Sequence, residues 1–139
     1  MTWLPTFEST FLNGICRRIE ARGKALKHQG KLTWETKQPD DFEWISFYFE
    51  PILGHYIICQ LSEDNRASIF IRDRSRARRG RVLLAIKETI LFDNCIAVVS
   101  ALETTIAQSK MFFIEKQPEA LERIRTTWSD LQVRIVEKE

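Results

Sequence analysis

The sequence is poor in the residues that build covalent or metal-dependent sites. Its 139 residues include three cysteines at wide spacings and two histidines, and no C-x-x-C pair is present. Zinc sites draw on closely spaced Cys and His ligands, so a zinc site is not predicted. A chain of this length needs neither metal nor disulfides to fold. We therefore expect buried free thiols and no cofactor.

Glycine and long apolar runs are also scarce. The five glycines are scattered singly, which leaves no phosphate-cradling loop, and there is no G-x-S-x-G elbow. No uncharged apolar run approaches the roughly 18 residues of a membrane span. The first ten residues do not resemble a secretory signal. The sequence predicts a cytoplasmic protein with no membrane partner, folded as a single globular domain over residues 1–139.

Residue types that commonly perform catalysis are present but not grouped. His28 precedes a helix end and His55 begins a strand, and nothing in the spacing brings them together for acid–base chemistry. The acids Glu35, Asp40 and Asp41 stand in the reverse of the order usual in metal-dependent nucleases. We therefore expect a non-catalytic binding protein.

What the sequence does contain is charge in blocks, although its formal net charge is only +2. Residues 16–31 carry six basic side chains and one acid. Residues 35–64 carry seven acids and one lysine, and residues 66–81 carry seven arginines and one aspartate. Blocks of this kind often form oppositely charged faces or become partners of one another.

Hydrophobic periodicity in the first half predicts one helix and several strands. A stripe with helical spacing covers residues 6–28, with Thr6 as its cap. Four segments typical of strands follow, at residues 31–37, 43–50, 55–61 and 66–74. Short turns between them, such as residues 62–65, predict an antiparallel meander of about four or five strands.

The second half predicts further helices. Residues 81–92 fit a helix and a strand about equally well. Residues 93–109 favour a helix capped by Asp93, residues 110–116 predict a short edge strand, and Pro118 opens a final helix. The whole pattern predicts an α+β fold in which C-terminal helices pack on one face of the sheet.

The final helix carries a seam of apolar residues with 3-4-3-4 spacing: Leu121, Ile124, Trp128, Leu131 and Ile135. This seam fits packing on the sheet, and it also fits a dimerisation helix, although coiled coils usually sustain about three heptads or more. The second interpretation predicts a regulatory, adaptor or chaperone-like homodimer that acts through protein–protein interaction.

The densest feature is the arginine run after the fourth predicted strand: Arg72, Arg74, Arg76, Arg78, Arg79 and Arg81. Arginine presents a planar fork that fits phosphate, and it stacks on bases. Phe70 lies in register with the first arginines, and a basic loop beside exposed aromatics is typical of sequence-tolerant binding to single strands or RNA. Other aromatics that could share this sheet face are Trp34, Trp44 and Tyr48. Basic residues that could extend the track are Arg17, Arg18 and Arg22.

Two other interpretations of the arginine run stay open. Arginine also suits ion pairs at protein interfaces, so the partner could be an acidic protein surface, including the acidic block of a second copy. The run could equally be a solvated hairpin tip. The sequence favours weak, sequence-independent nucleic-acid binding, and the protein-binding homodimer is the alternative.

Overall fold

A computed structural model describes residues 4–36, 43–73, 81–91 and 94–138. Within these ranges two helices come first, five strands follow, and two long helices come last. The elements are α1 (Thr10–Ala21), α2 (Gly23–Gln29), β1 (Lys31–Thr36), β2 (Trp44–Ile52), β3 (His55–Ser62), β4 (Arg66–Asp73), β5 (Arg81–Ile90), α3 (Cys95–Phe113) and α4 (Glu119–Lys138). This order confirms the predicted α+β fold.

The five strands form one antiparallel sheet in the order β1-β2-β3-β4-β5. The turn between β3 and β4 lies where the sequence predicted it. Asn65 adopts a φ of 63° there, and its N–H donates to the carbonyl of Ser62 over 3.1 Å. Asparagine tolerates this left-handed conformation better than most residues. The predicted meander is therefore confirmed.

One face of the sheet, which we call the covered face, packs against the helices. Its side chains alternate along each strand with those of the opposite face. Phe47, Cys59 and Ile69 are register partners in turn across β2, β3 and β4, and none is more than 1% exposed. Every helix adds at least one buried side chain to the same core cluster: Ile15 from α1, Leu26 from α2, Leu102 from α3 and Trp128 from α4.

The N-terminal helical region differs from its predicted form. One helix over residues 6–28 with Thr6 as its cap was expected, and this is wrong. Ser9 is the N-cap, since its hydroxyl accepts from the N–H of Leu12 over 3.2 Å. The helix then breaks at Arg22, whose N–H is shared between the carbonyls of Arg18 and Ile19, and α2 begins at the next residue.

The segment after the arginine run forms a strand followed by a long helix. Residues 81–90 form β5, the strand alternative. Asn94 rather than Asp93 is the N-cap of α3, with its side chain accepting from the N–H groups of Ile96 and Ala97. The edge strand expected at residues 110–116 is wrong, because α3 continues to Phe113, whose buried ring packs on His55 at 4.6 Å between centroids.

Candidate nucleic-acid interface

The open face is the face of the sheet on which none of the described helices packs. Its central row crosses all five strands through successive register partners: Thr33, Tyr48, Ile58, Phe70 and Ala85. These side chains are half-buried or exposed, whereas their neighbours along each strand point into the core. The row therefore presents two aromatic rings and one large aliphatic side chain towards solvent.

Phe70 has two cations close to its ring. The guanidinium carbon of Arg72 is 5.4 Å from the centroid of the Phe70 ring, and Nζ of Lys87 is 5.9 Å from the same centroid. Both distances fall in the range in which a cation is attracted to the face of an aromatic ring. Tyr56 on β3 is the register partner of Arg72. This cluster of two rings and two cations occupies the β3–β5 half of the open face.

The β1–β2 half of the open face carries carboxylates instead. Glu35 accepts a hydrogen bond from the hydroxyl of Tyr48, and Glu50 is the register partner of Lys31. Burial, reinforced by the hydrogen bond to Glu35, raises the pKa of Tyr48 to about 12. Charge on the open face is therefore uneven, with two cations grouped around Phe70 and two carboxylates against one cation, Lys31, on the β1–β2 half.

The described part of the arginine run lies at one end of the cationic half. β4 ends at Asp73 and β5 begins at Arg81, and these two residues are register partners. Arg72 is half-buried on the open face, and Arg81 is exposed. The structure thus brings Phe70 and Arg72 together, with Arg81 at the same end of the sheet on β5. The remaining predicted arginines lie outside the described residues: Arg74, Arg76, Arg78 and Arg79.

The basic residues of α1 lie elsewhere. Arg22 pairs with Glu103 of α3, with Nε 2.8 Å from Oε1. Arg18 and Arg22 line a groove of about 220 Å³ between α1 and α3, beside the exposed side chain of Ile96. Arg17 is exposed on the same helix. Since α1 belongs to the helix layer on the covered side, the structure does not bring these arginines together with Phe70.

The apolar seam of α4 packs inside the chain. Ile124 and Trp128 are fully buried, Leu131 is 4% exposed, and Leu121 packs half-buried against the core. The indole N–H of Trp128 donates to the hydroxyl of Thr105 on α3 over 2.9 Å. The side chain of Ile135 lies outside the described residues. A second copy could therefore reach most of this seam only if α4 left α3, and self-association through it stays a prediction.

Aromatic placement on the sheet was only partly predicted. Trp44 and Tyr48 share the open face with Phe70, but Trp34 packs against the core. Sequence reasoning missed Tyr56, because it lies in a continuous apolar run without alternation. It also missed Lys87, because the segment that carries it matched two periodicities. A strand assignment for residues 81–90 was the one clue that could have identified Lys87 as a neighbour of Phe70.

Within the described ranges, no group of three or more His, Cys, Asp or Glu side chains could hold a metal ion. His55 Nε2 lies 3.4 Å from Oδ1 of Asp73. Burial raises the pKa of Cys59 to about 12, and burial with the nearby charge of Glu20 raises the pKa of Cys16 to about 12. Both thiols are therefore poor nucleophiles at neutral pH.

Comparison with protein-family models, curated proteins and solved structures finds no match to the chain. No helix in the described ranges is both long enough and apolar enough to cross a membrane.

Proposed function

We propose that the protein binds single-stranded nucleic acid without sequence preference, through the cationic half of the open face. The observation that carries this proposal is the Phe70 ring with Arg72 and Lys87 beside it, at 5.4 and 5.9 Å. Aromatic side chains on a sheet face accept the π-face of any base, and flanking cations attract the phosphates between bases. The ring and its neighbouring cations therefore support a site that tolerates any base sequence.

A base that stacks on Phe70 would take the place of one cation over the ring. Lys87 is suited to be the displaced group, because it is exposed and its ammonium can turn from the ring to a phosphate, while Arg72 keeps its place beside the ring. Stacking of this kind contributes about 1–3 kcal/mol per base. Tyr56, opposite Arg72 in the register, offers a second ring for the neighbouring base.

The charges on the open face suggest the path that a bound strand would take. The carboxylates of Glu35 and Glu50 outnumber the one cation on the β1–β2 half, Lys31, and repel phosphate. Arg72 near the end of β4 and Arg81 at the start of β5 carry positive charge at one end of the sheet. The strand would run from Phe70 towards that end and avoid the carboxylates.

Fluorescence anisotropy with labelled single-stranded DNA, RNA and duplex DNA across a salt series tests the proposal. We expect the single strands to bind more tightly than the duplex, with affinity falling as salt rises. Changing Arg74, Arg76, Arg78 and Arg79 to Ala would reduce the salt slope by about 0.7 for each phosphate that is no longer neutralised. Changing Phe70 to Leu would lower affinity and leave the salt slope unchanged, because it removes stacking and no charge.

The matched control is Arg123→Ala with Arg125→Ala. Both arginines are exposed on α4, in the helix layer, so their replacement removes charge without touching the open face. Equal slope changes per arginine removed in the control, which loses two, and in the arginine-run variant, which loses four, would contradict the proposal, since binding would then follow total charge. Absence of binding at low salt would also contradict it. Acidic protein partners would then be the class to test.

A further inference from the structure

The two edges of the sheet are built differently. Both edge strands carry a helix, α4 on β5 and α2 on β1, but β5 also has two register shifts against β4, between Ala67 and Ile69 and between Ile71 and Arg72. Bulges are devices that keep edge strands from pairing with other chains. β1 pairs with β2 over six residues without a shift. No strand in the described residues lies beyond β1, so this edge is a regular template for another strand.

We propose that β1 pairs antiparallel with β1 of a second copy, across a two-fold axis at Thr33. The strand is self-complementary in that register. Lys31 faces the partner's Glu35, Glu35 faces the partner's Lys31, and Leu32 faces the partner's Trp34. Directly opposed residues of opposite charge, like paired apolar residues, stabilise antiparallel strands. The product is a continuous ten-stranded sheet made from two five-stranded halves, with both open faces on one side.

Other registers lack this complementarity. A shift that opposes odd with even positions would set open-face side chains against covered-face ones, because strand side chains alternate with period two. A two-fold axis at Trp34 keeps the faces but pairs Thr33 with the partner's Glu35 and leaves Lys31 beyond the end of the partner's β1. An axis at Leu32 places Glu35 opposite Gln29, which belongs to α2. Only the axis at Thr33 joins both ion pairs and keeps the apolar residues together.

The burial of β1 agrees with a second copy as its occupant. Lys31, Thr33 and Glu35 are exposed on the open face, while Leu32 and Trp34 are only half-buried although they pack against the core. Pairing with a second β1 would place Leu32 beside the Trp34 of the second copy and Trp34 beside its Leu32. This interface is separate from the α4 seam, which the chain already uses internally, and it does not depend on nucleic-acid binding.

Disulfide trapping at single positions tests the register. In Thr33→Cys the two thiols would meet at the axis, with Cα atoms about 4.5–5.5 Å apart, so mild oxidation should produce a covalent dimer. In Lys31→Cys the two thiols would lie four positions apart, about 13 Å along the strands, and no dimer should form. Equimolar Lys31→Cys and Glu35→Cys chains should cross-link with each other. The unaltered chain is the control, because it shows how much cross-linking its own three cysteines produce.

Sedimentation velocity over a concentration series tests the charge complementarity. Lys31→Glu would oppose the partner's Glu35 at two symmetric positions and weaken the dimer by about tenfold. Lys31→Glu combined with Glu35→Lys should restore association. Both variants place a glutamate at position 31 opposite Glu50 of the same chain, so this contact cannot explain a difference between them. Circular dichroism checks that each variant is folded. A monomer at all concentrations, or equal cross-linking of Thr33→Cys and Lys31→Cys, would overturn the proposal.

Discussion

Phe47 on β2 and Phe70 on β4 are the same residue type on opposite faces of one sheet. Phe47 is 1% exposed and adjoins Ile19, Leu102 and Ile106 at the sheet–helix contact. Phe70 is half-buried and has two cations over its ring. The covered face constrains a side chain by packing, because any volume removed there becomes a cavity. The open face leaves its side chains available for a partner at small cost to the fold.

Phe47→Ala should have the largest effect of the changes considered. Removal of a fully buried ring typically costs about 3–5 kcal/mol in the free energy of unfolding. Urea unfolding followed by circular dichroism measures this as a fall in the midpoint. A decrease below about 1 kcal/mol would mean that the covered face tolerates a cavity, and the contrast between the two faces would then fail.

Gly30→Ala should come next, at about 1–3 kcal/mol. A Cβ at Gly30 would lie 2.5 Å from the carbonyl oxygen of Glu50 and 2.9 Å from Cα of Pro51, so backbone must move where α2 meets the sheet. Gly54→Ala is the control, because nothing lies within 4 Å of a Cβ there but φ is +86°. It should cost about 1 kcal/mol by backbone strain alone. Urea midpoints for both variants give the comparison.

Phe70→Ala should cost only about 1 kcal/mol, since the ring is half-buried. Its effect should appear in binding instead, as weaker association with single-stranded nucleic acid in the anisotropy assay. Phe47→Ala and Phe70→Ala make the same chemical change on opposite faces. The first should lower stability and the second should weaken binding. A Phe70→Ala protein as unstable as Phe47→Ala would show that the open face contributes to the core after all.

The smallest expected effect is the alkaline titration of Tyr48. Its folded pKa of about 12 lies above the usual 10.0, so the neutral phenol stabilises the fold fully below pH 10. That contribution disappears as pH rises from 10 to 12. Phenolate absorbance against pH should show a late component that Tyr48→Phe removes and Tyr56→Phe retains. Retention of the late component in Tyr48→Phe would contradict the assignment to the Glu35 contact and burial.

The sequence predicted four strands and left the fifth, β5, open between a strand and a helix. β4 alternates strictly from Arg66 to Arg72, and its faces were predicted correctly. β5 was not assigned because its two register shifts break the period of two, so that a helical period fitted as well. The break at Arg22 could not be predicted either, because both halves of the helix keep their apolar side chains towards the core.

The candidate site was predicted to the extent that it lies on one strand. Phe70 and Arg72 are two residues apart, and period-two spacing alone is enough to place them on one face. Lys87 and Tyr56 come from other strands, and their approach depends on cross-strand register, which the sequence pattern of β5 did not define. For the same reason, the sequence could not separate the arginines of α1 from this surface.

The two buried thiols can report separately on which part of the protein opens first. Cys16 on α1 and Cys59 on β3 are at most 2% exposed, and a pKa of about 12 keeps each unreactive towards alkylating reagents. Labelling of Cys16 therefore times the release of α1, and labelling of Cys59 times the separation of the sheet from its helices. If Cys16 is labelled first, the helix layer loosens while the sheet, and with it the open face, persists.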